Sequence, residues 1–214
     1  SKVFFLLAIS FCFTTPAFSQ AWQWAKSCGG PSTDGATYSC ADPTSNNVFI
    51  AGYFGSASIQ VGTITITNAG VTGIDVFISK WDANGNVLWA QRIGGAGSEF
   101  LNGITADNSG RVYITGAFTS SIVSVPPYSI TNSATTGTQD VWLACFDGFG
   151  SPAWLKKYGN TGSESGEGII YSPGQNAIYL TGGFNSATML VGSTTLSNVG
   201  TAGSSYDMFL VKLT

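Results

Sequence analysis

One phrase occurs three times in this chain: "WQWAKSCGG" from Trp22, "NVLWAQRIGG" from Asn86 and "PAWLKKYGN" from Pro152. Its tryptophans, Trp24, Trp89 and Trp154, stand 65 residues apart. Other positions keep nearly the same step: Asp75, Asp140 and Asp207 at 65 and 67, and Gly52, Gly116 and Gly182 at 64 and 66. A fixed period of this length constrains the fold strongly, because each copy must be one structural unit that buries its apolar faces against its neighbours.

Each copy contains four short apolar runs. In the middle copy they read "GITAD", "RVYITGAF", "DVWLACFD" and "SPAWLKKYG", rich in β-branched and aromatic residues and bounded by turn residues. These are strands a, b, c and d. "DNSG", "DANG" and "DGFG" supply short loops ending in glycine, which close a-to-b and c-to-d hairpins. The b-to-c connections are longer and hold a second pattern, "VGTITITN", "VPPYSITN" and "VGSTTLSN", that reads as an inserted hairpin, interrupted in the middle copy by Pro126 and Pro127. Helical periodicity is absent.

The expected fold is therefore all-β: a β-propeller-like array of four-stranded antiparallel blades, with copies at approximately 20–85, 86–150 and 151–214. A β-solenoid would have shorter rungs, and tandem β-sandwiches need about seven strands each. The N-terminal phrase around Trp24 reads as a d strand with no a, b or c before it, and the last copy stops after strand c. Three blades are visible where a ring needs at least four, so the chain is expected to be a fragment of a larger propeller.

"DVFISKWDANGNVLWAQRIGG", followed by "GITADNSGRVYITGAF", resembles the bacterial secreted β-propeller repeat family abbreviated SBBP. The resemblance runs from Trp22 to the end and rests on the D-x-x-G turns, the W-A-x-x-x-G-G phrase and the V-Y-I-T-G-x-F strand. It implies a secreted or cell-surface propeller, often within a larger protein, and brings no catalytic residues. Cys145 departs from the pattern, standing where the other copies have Lys80 and Lys212.

Residues 1–19 are written differently. Lys2 precedes an apolar run from Val3 to Phe13, too short to span a bilayer, and Ala17 and Ser19 offer small residues for cleavage. The segment reads as a secretory signal peptide, which predicts a secreted or cell-surface protein with no membrane span after its removal; a buried N-terminal helix or strand is the competing reading. An oxidising destination makes Cys28 and Cys40 the candidate disulfide pair, against the alternative that they and Cys145 are small buried hydrophobes. The chain has no histidine, which excludes Ser-His-Asp triads, Cys-His dyads and zinc sites built on His. Charged residues make up 9% of the sequence and the net charge is -3, so no nucleic-acid partner is expected.

Asp34, Glu99 and Glu164 recur at 65 and 65, one carboxylate near the start of each strand a, on the end of the blades that carries the longer loops. Such acids are candidate ligand-binding residues, able to coordinate Ca²⁺ or accept bonds from sugar hydroxyls. The competing reading is that each accepts backbone N–H bonds and ties one blade to the next. Asp75, Asp140 and Asp207 receive the same structural reading, and the turn at Asp82 lacks the remaining ligands of an EF-hand. The repeated tryptophans are expected to pack between blades rather than stack on sugar. Catalysis needs groups with distinct roles, and the positions that break the repeat, Glu167 and Lys157, are the better candidates; Glu167 and Glu164 are the one pair to weigh for glycosidase chemistry. The function expected is a non-catalytic, exported binding or adhesion module with a glycan or protein ligand, without a cofactor unless Ca²⁺ binds, and with further blades or domains beside it. A structural spacer in a large surface protein is the alternative, and a carboxylate-dependent hydrolase a further one.

Overall fold

The computed structural model describes residues 21–70, 72–134 and 137–214. The expected signal peptide, 1–19, lies outside the described residues. The described chain is a tandem array of antiparallel sheets. The first blade comprises β1 (Asp34–Ala41), β2 (Val48–Phe54), an inserted hairpin of β3 (Ser58–Val61) and β4 (Ile64–Thr67), then β5 (Asp75–Trp81) and β6 (Val87–Gly95). The second repeats it with β7 (Glu99–Ala106), β8 (Val112–Phe118), β9 (Ile122–Val125), β10 (Tyr128–Thr131), β11 (Asp140–Phe146) and β12 (Pro152–Tyr158). The third has β13 (Glu164–Ser172), β14 (Ala177–Phe184), β15 (Thr188–Val191), β16 (Thr194–Ser197) and β17 (Asp207–Leu213). Each blade pairs its strands in sequence order, a with b, b with c and, in the first two, c with d. The middle hairpin forms despite Pro126 and Pro127, which sit at its turn with a cis peptide between them. The sole departure from all-β structure among the described residues is one 3-10 turn, Pro173–Gln175, between β13 and β14.

Alternation in the strands sends apolar side chains to both faces of each blade, and the cores lie between blades. Phe49, Ala51, Val76 and Ile78 on one face of blade 1 meet Ile114, Trp142, Ala144 and Phe146 of blade 2. Val141 and Leu143 of blade 2 meet Leu180 and Phe209 of blade 3. The a strands lie against one another across blades, β1 with β7 and β7 with β13. Each a strand carries a bulge at the same place, opposite the strand-b glycine: Thr37, Asn102 and Glu167 are the inserted residues. This close approach is what the repeated glycines serve. A Cβ added to Gly52, Gly116 or Gly182 would lie 2.0, 1.8 or 2.0 Å from the carbonyl oxygens of Gly35, Phe100 and Ser165.

The repeated tryptophan is a lock between blades. Trp89, near the start of β6, stacks near Phe146 of blade 2 with ring centroids 6.2 Å apart, and its Nε1 donates to Gly148 O at 3.2 Å. Gly150, in the same c-to-d turn, has φ 87°, and a Cβ there would lie 2.6 Å from the indole. Trp24 makes the same contact one blade earlier, donating to Ala83 O at 2.9 Å over Gly85. The N-terminal phrase thus occupies the place of a preceding blade's d strand.

It does not form that strand, which corrects the expectation. Residues 21–28 have no ladder partners; the Trp24 bond and the isolated bridge between Gly29 and Gln60 tie the segment in. A d strand pairs with the c strand of its own blade, and among the described residues no such strand lies beside this segment. The expected Cys28–Cys40 disulfide is also not formed: all three described cysteines are free thiols. Gly30 N–H donates to Asp34 at 2.7 Å, so Cys28 sits by the start of β1, whereas Cys40 is six residues along it. Six residues of extended strand span about 20 Å, far beyond the ~7 Å limit between bridged Cα atoms.

Candidate functional site

The d-to-a connection of each blade is held by one repeated acid and one repeated serine. Asp34 accepts from Gly30 N–H at 2.7 Å and from Ser56 N–H at 3.2 Å and its hydroxyl at 2.8 Å. Glu99 accepts from Gly95 N–H at 2.9 Å, and Glu164 from Asn160 N–H at 3.0 Å, from Ser186 N–H at 3.2 Å and from the Ser186 hydroxyl. The serine oxygens accept in turn from the loop: Ser56 from Ser32 N–H at 2.8 Å, and Ser120 and Ser186 from Gly97 and Gly162 N–H, both at 2.7 Å. The three acids therefore sit in equivalent environments, each clasping the turn that leads from one blade into the next. Glu99 and Glu164 are fully buried and Asp34 is half-buried.

A second acid stands beside the Glu99 and Glu164 clasps, and its equivalent opens β17. Asp75, at the start of β5, accepts from Ala69 N–H at 2.6 Å and pairs with Arg92 at 3.2 Å; Asp140 accepts from Ser133 N–H at 2.6 Å and pairs with Lys157 at 3.4 Å; Asp207 accepts from Val199 N–H at 2.7 Å. Lys157 thus does in blade 2 what Arg92 does in blade 1. Burial pushes Glu99 up to about 7, with the charge of Asp75 adding to it and the Ser120 and Gly95 donors opposing. Asp75 is raised by burial against its bonds to Ala69 and Arg92, and Glu164 by burial against Ser186 and Asn160.

Sequence reasoning paired Glu167 with Glu164. Glu167 is exposed on the strand-a bulge, while Glu164 is buried and bonded to its loop. The turns at Asp82, Asp107 and Asp147 close on their own backbone: Asp82 Oδ1 accepts from Asn84 and Asn86 N–H at 2.9 and 2.8 Å, and Asp147 Oδ1 from Phe149 and Ser151 N–H at 2.9 and 2.8 Å. Among the described residues no three acids or cysteines come together as a metal-holding group, and no helix is long and apolar enough to cross a membrane.

Two repeated partners were not singled out from the sequence, although both recur visibly in it. One is the serine of the clasp. The other is the asparagine that ends each insert: Asn68, Asn132 and Asn198 donate to Phe54, Phe118 and Phe184 O at 3.4, 3.3 and 3.3 Å, and accept from the second residue after themselves. The inserts also bridge blades, since β6 continues into β9 through Gly94 opposite Ser124 and Gly95 opposite Val123.

The outermost faces differ from the inner ones. Met208 and Leu210 of β17 are 91% and 68% exposed, where the equivalent Val76 and Ile78 of β5, and Val141 and Leu143 of β11, are 0% exposed. On the opposite side, a cleft of about 330 Å³ opens between the N-terminal segment and blade 1, lined by Trp24, Cys28, Asp34, Ile59, Phe77 and Trp81.

Comparison with known proteins agrees with this architecture. A protein of Acanthamoeba polyphaga mimivirus, described as an uncharacterized WD repeat-containing protein, is 27% identical over 159 residues, covering 68% of this chain. The chain spans only 11% of that relative's length. The family model of the SBBP beta-propeller repeat matches residues 88–117. That stretch runs from strand d of blade 1 through strands a and b of blade 2, and so contains the Trp89 lock, the Glu99 clasp and the Gly116 contact. Residues 88–117 are thus similar to the SBBP beta-propeller repeat.

Proposed function

We propose that this chain is a non-catalytic β-propeller repeat module, exported to the cell surface or the medium, that binds a protein or a glycan with the blade end bearing the inserted hairpins. The observation that carries the reading is a division of labour. The acids that recur in every blade are spent on loop N–H groups, whereas the hairpins, anchored by buried Val61, Val123 and Met189, turn different side chains outward from blade to blade. In blade 2 the hairpin presents Ile122 and Tyr128, which are 54% and 37% exposed, and in blade 3 it presents Leu190 at 59%. Longer loops on a rigid scaffold are where binding surfaces are usually built.

A hydrolase has less to support it, because glycosidase chemistry wants two carboxyl groups flanking one cleft, and Glu164 is committed to Asn160 and Ser186. Ca²⁺ at Asp34, Glu99 and Glu164 is likewise disfavoured, since these oxygens face N–H and O–H donors rather than the six or more oxygens calcium takes. The exposed Met208 and Leu210 favour a further blade beyond blade 3, which also suits the spacer reading. The purified protein on a glycan array and against a panel of extracellular proteins, beside an Ile122→Ser, Tyr128→Ser double variant, tests the proposal. Binding lost at an unchanged melting temperature is expected. Absence of any ligand favours the spacer, and retention of the protein in the cytoplasm overturns the export.

A further inference from the structure

At the junction of blades 1 and 2 Glu99 N–H donates to Ile74 O at 2.8 Å, which brings Glu99 beside Asp75, and both residues are 0% exposed. Their outer oxygens are accounted for: Asp75 Oδ2 accepts from Ala69 and Arg92, and Glu99 Oε2 from Gly95. Asp75 Oδ1 and Glu99 Oε1 have no hydrogen-bond partner. Two ionised carboxylates are acceptors only and cannot bond each other, whereas a single proton makes one oxygen a donor and the other its acceptor. A buried polar atom left unpaired is costly, so the missing partner needs a chemical identity.

A metal ion suits the place poorly. Two carboxylates are few for a hard cation, Arg92 already brings positive charge to Asp75, and the main chain of Gly94 closes the space. A Cβ added to Gly94 would lie 2.2 Å from Asp75 Cγ. We propose that Asp75 and Glu99 share one proton, held on Glu99 and donated to Asp75 Oδ1, and that its loss sets two like charges against each other inside the blade junction.

The surroundings favour this species. Burial disfavours the second charge, and the upward shifts of Glu99 and Asp75 follow from it. The charged group facing the pair from β6 is Arg92, which holds Asp75 as the ionised partner; the other donors, Ala69, Gly95 and Ser120, are neutral. The next junction keeps the two acids together, but there the Glu164 oxygens accept from Asn160 and Ser186 and only the aspartate has an unpaired oxygen. Asp140 Oδ1 again has no partner, and a Cβ on Gly159 would lie 2.1 Å from it and 2.8 Å from Glu164 Oε2, with Lys157 in the place of Arg92.

The sign of the effect is fixed by Glu99, whose carboxyl rises in the folded protein from the ordinary 4.5 to about 7. Its contribution is fully present below the ordinary value and is lost as pH rises through about 7. The test is thermal unfolding of the protein and its Glu99→Gln variant between pH 5 and 9, together with carbon-13 NMR of the side-chain carboxyl groups in the unsubstituted protein. One glutamate resonance titrating near neutrality is expected, with a melting temperature that falls by several degrees across the range and a much shallower fall in E99Q. All glutamates titrating in the ordinary acid range overturns the proposal, as does an equal fall in E99Q. A gain in melting temperature from added Ca²⁺ at pH 8 that E99Q abolishes overturns it in favour of a cation. The NMR titration decides the matter even if the variant does not fold.

Discussion

Replacing Trp89 by Ala removes the lock between blades 1 and 2, and the same substitution at Trp24 provides an internal control, because the two indoles make one contact at different depths. Trp89 is 9% exposed and Trp24 is 39% exposed. A tryptophan carries about 200 Å² of surface, and burial contributes about 25 cal/mol per Å². The indole of Trp89 is then worth about 4.5 kcal/mol and that of Trp24 about 3, before allowing for what alanine retains. The expected losses are about 3 to 5 kcal/mol for Trp89→Ala and about 2 kcal/mol for Trp24→Ala. Trp89→Phe, which keeps most of the area but deletes the bond to Gly148 O, is expected to cost about 1 to 2 kcal/mol. Urea unfolding followed by circular dichroism reads all three. Equal losses at Trp24 and Trp89, or a loss at Trp89 below that at Trp24, would refute the claim that burial between blades is what this residue contributes.

Gly116→Ala drives a methyl group into Phe100 O and is expected to destabilise by more than 3 kcal/mol, or to prevent folding, as read by yield and melting. Asn102→Ala deletes bonds to Ser165 Oγ at 3.1 Å and Gly166 O at 2.9 Å, with an expected loss of about 1 to 2 kcal/mol in chemical unfolding. Maleimide labelling should modify exposed Cys28 quickly and leave Cys145 untouched until the protein unfolds, since burial pushes the Cys145 thiol up to about 12. At low pH a different group governs: burial alone would raise Asp42, but Lys80 at 2.7 Å, with Ser45 and Thr44, holds its carboxyl well below the usual range. Its contribution is present above about pH 4 and is lost as the pH falls below it, so acid unfolding of Lys80→Met should lack that component.

The blade order, the inserted hairpins and the tight turns were legible in the sequence because each rests on local chemistry repeated in register. Asp-x-x-Gly closes on its own N–H groups, as at Asp82, and alternating β-branched residues make two-faced strands. Residues 21–28 misled because a strand is a property of a pair: "WQWAKSCGG" has the side chains of strand d and docks Trp24 as strand d, yet lacks the neighbour that would supply its ladder. The disulfide failed for a related reason, since nearness in sequence is distance along an extended strand. The acids were found by their spacing, but spacing does not say where an oxygen points. The opposition of Asp75 and Glu99 joins strand c of one blade to strand a of the next, and only packing brings those two positions together.

The tryptophan lock sets a rule for how such an array can change length. Blade 1 receives Trp24 on its c-to-d turn and offers Trp89 to that of blade 2, so a duplicated 65-residue segment arrives with both halves of the connection. An added copy needs no tailoring of its neighbours, and a reversed one would find no turn to receive it. Gene duplication can therefore lengthen or shorten the array one blade at a time in a single direction, leaving the hairpins free to diverge once the new copy is in place.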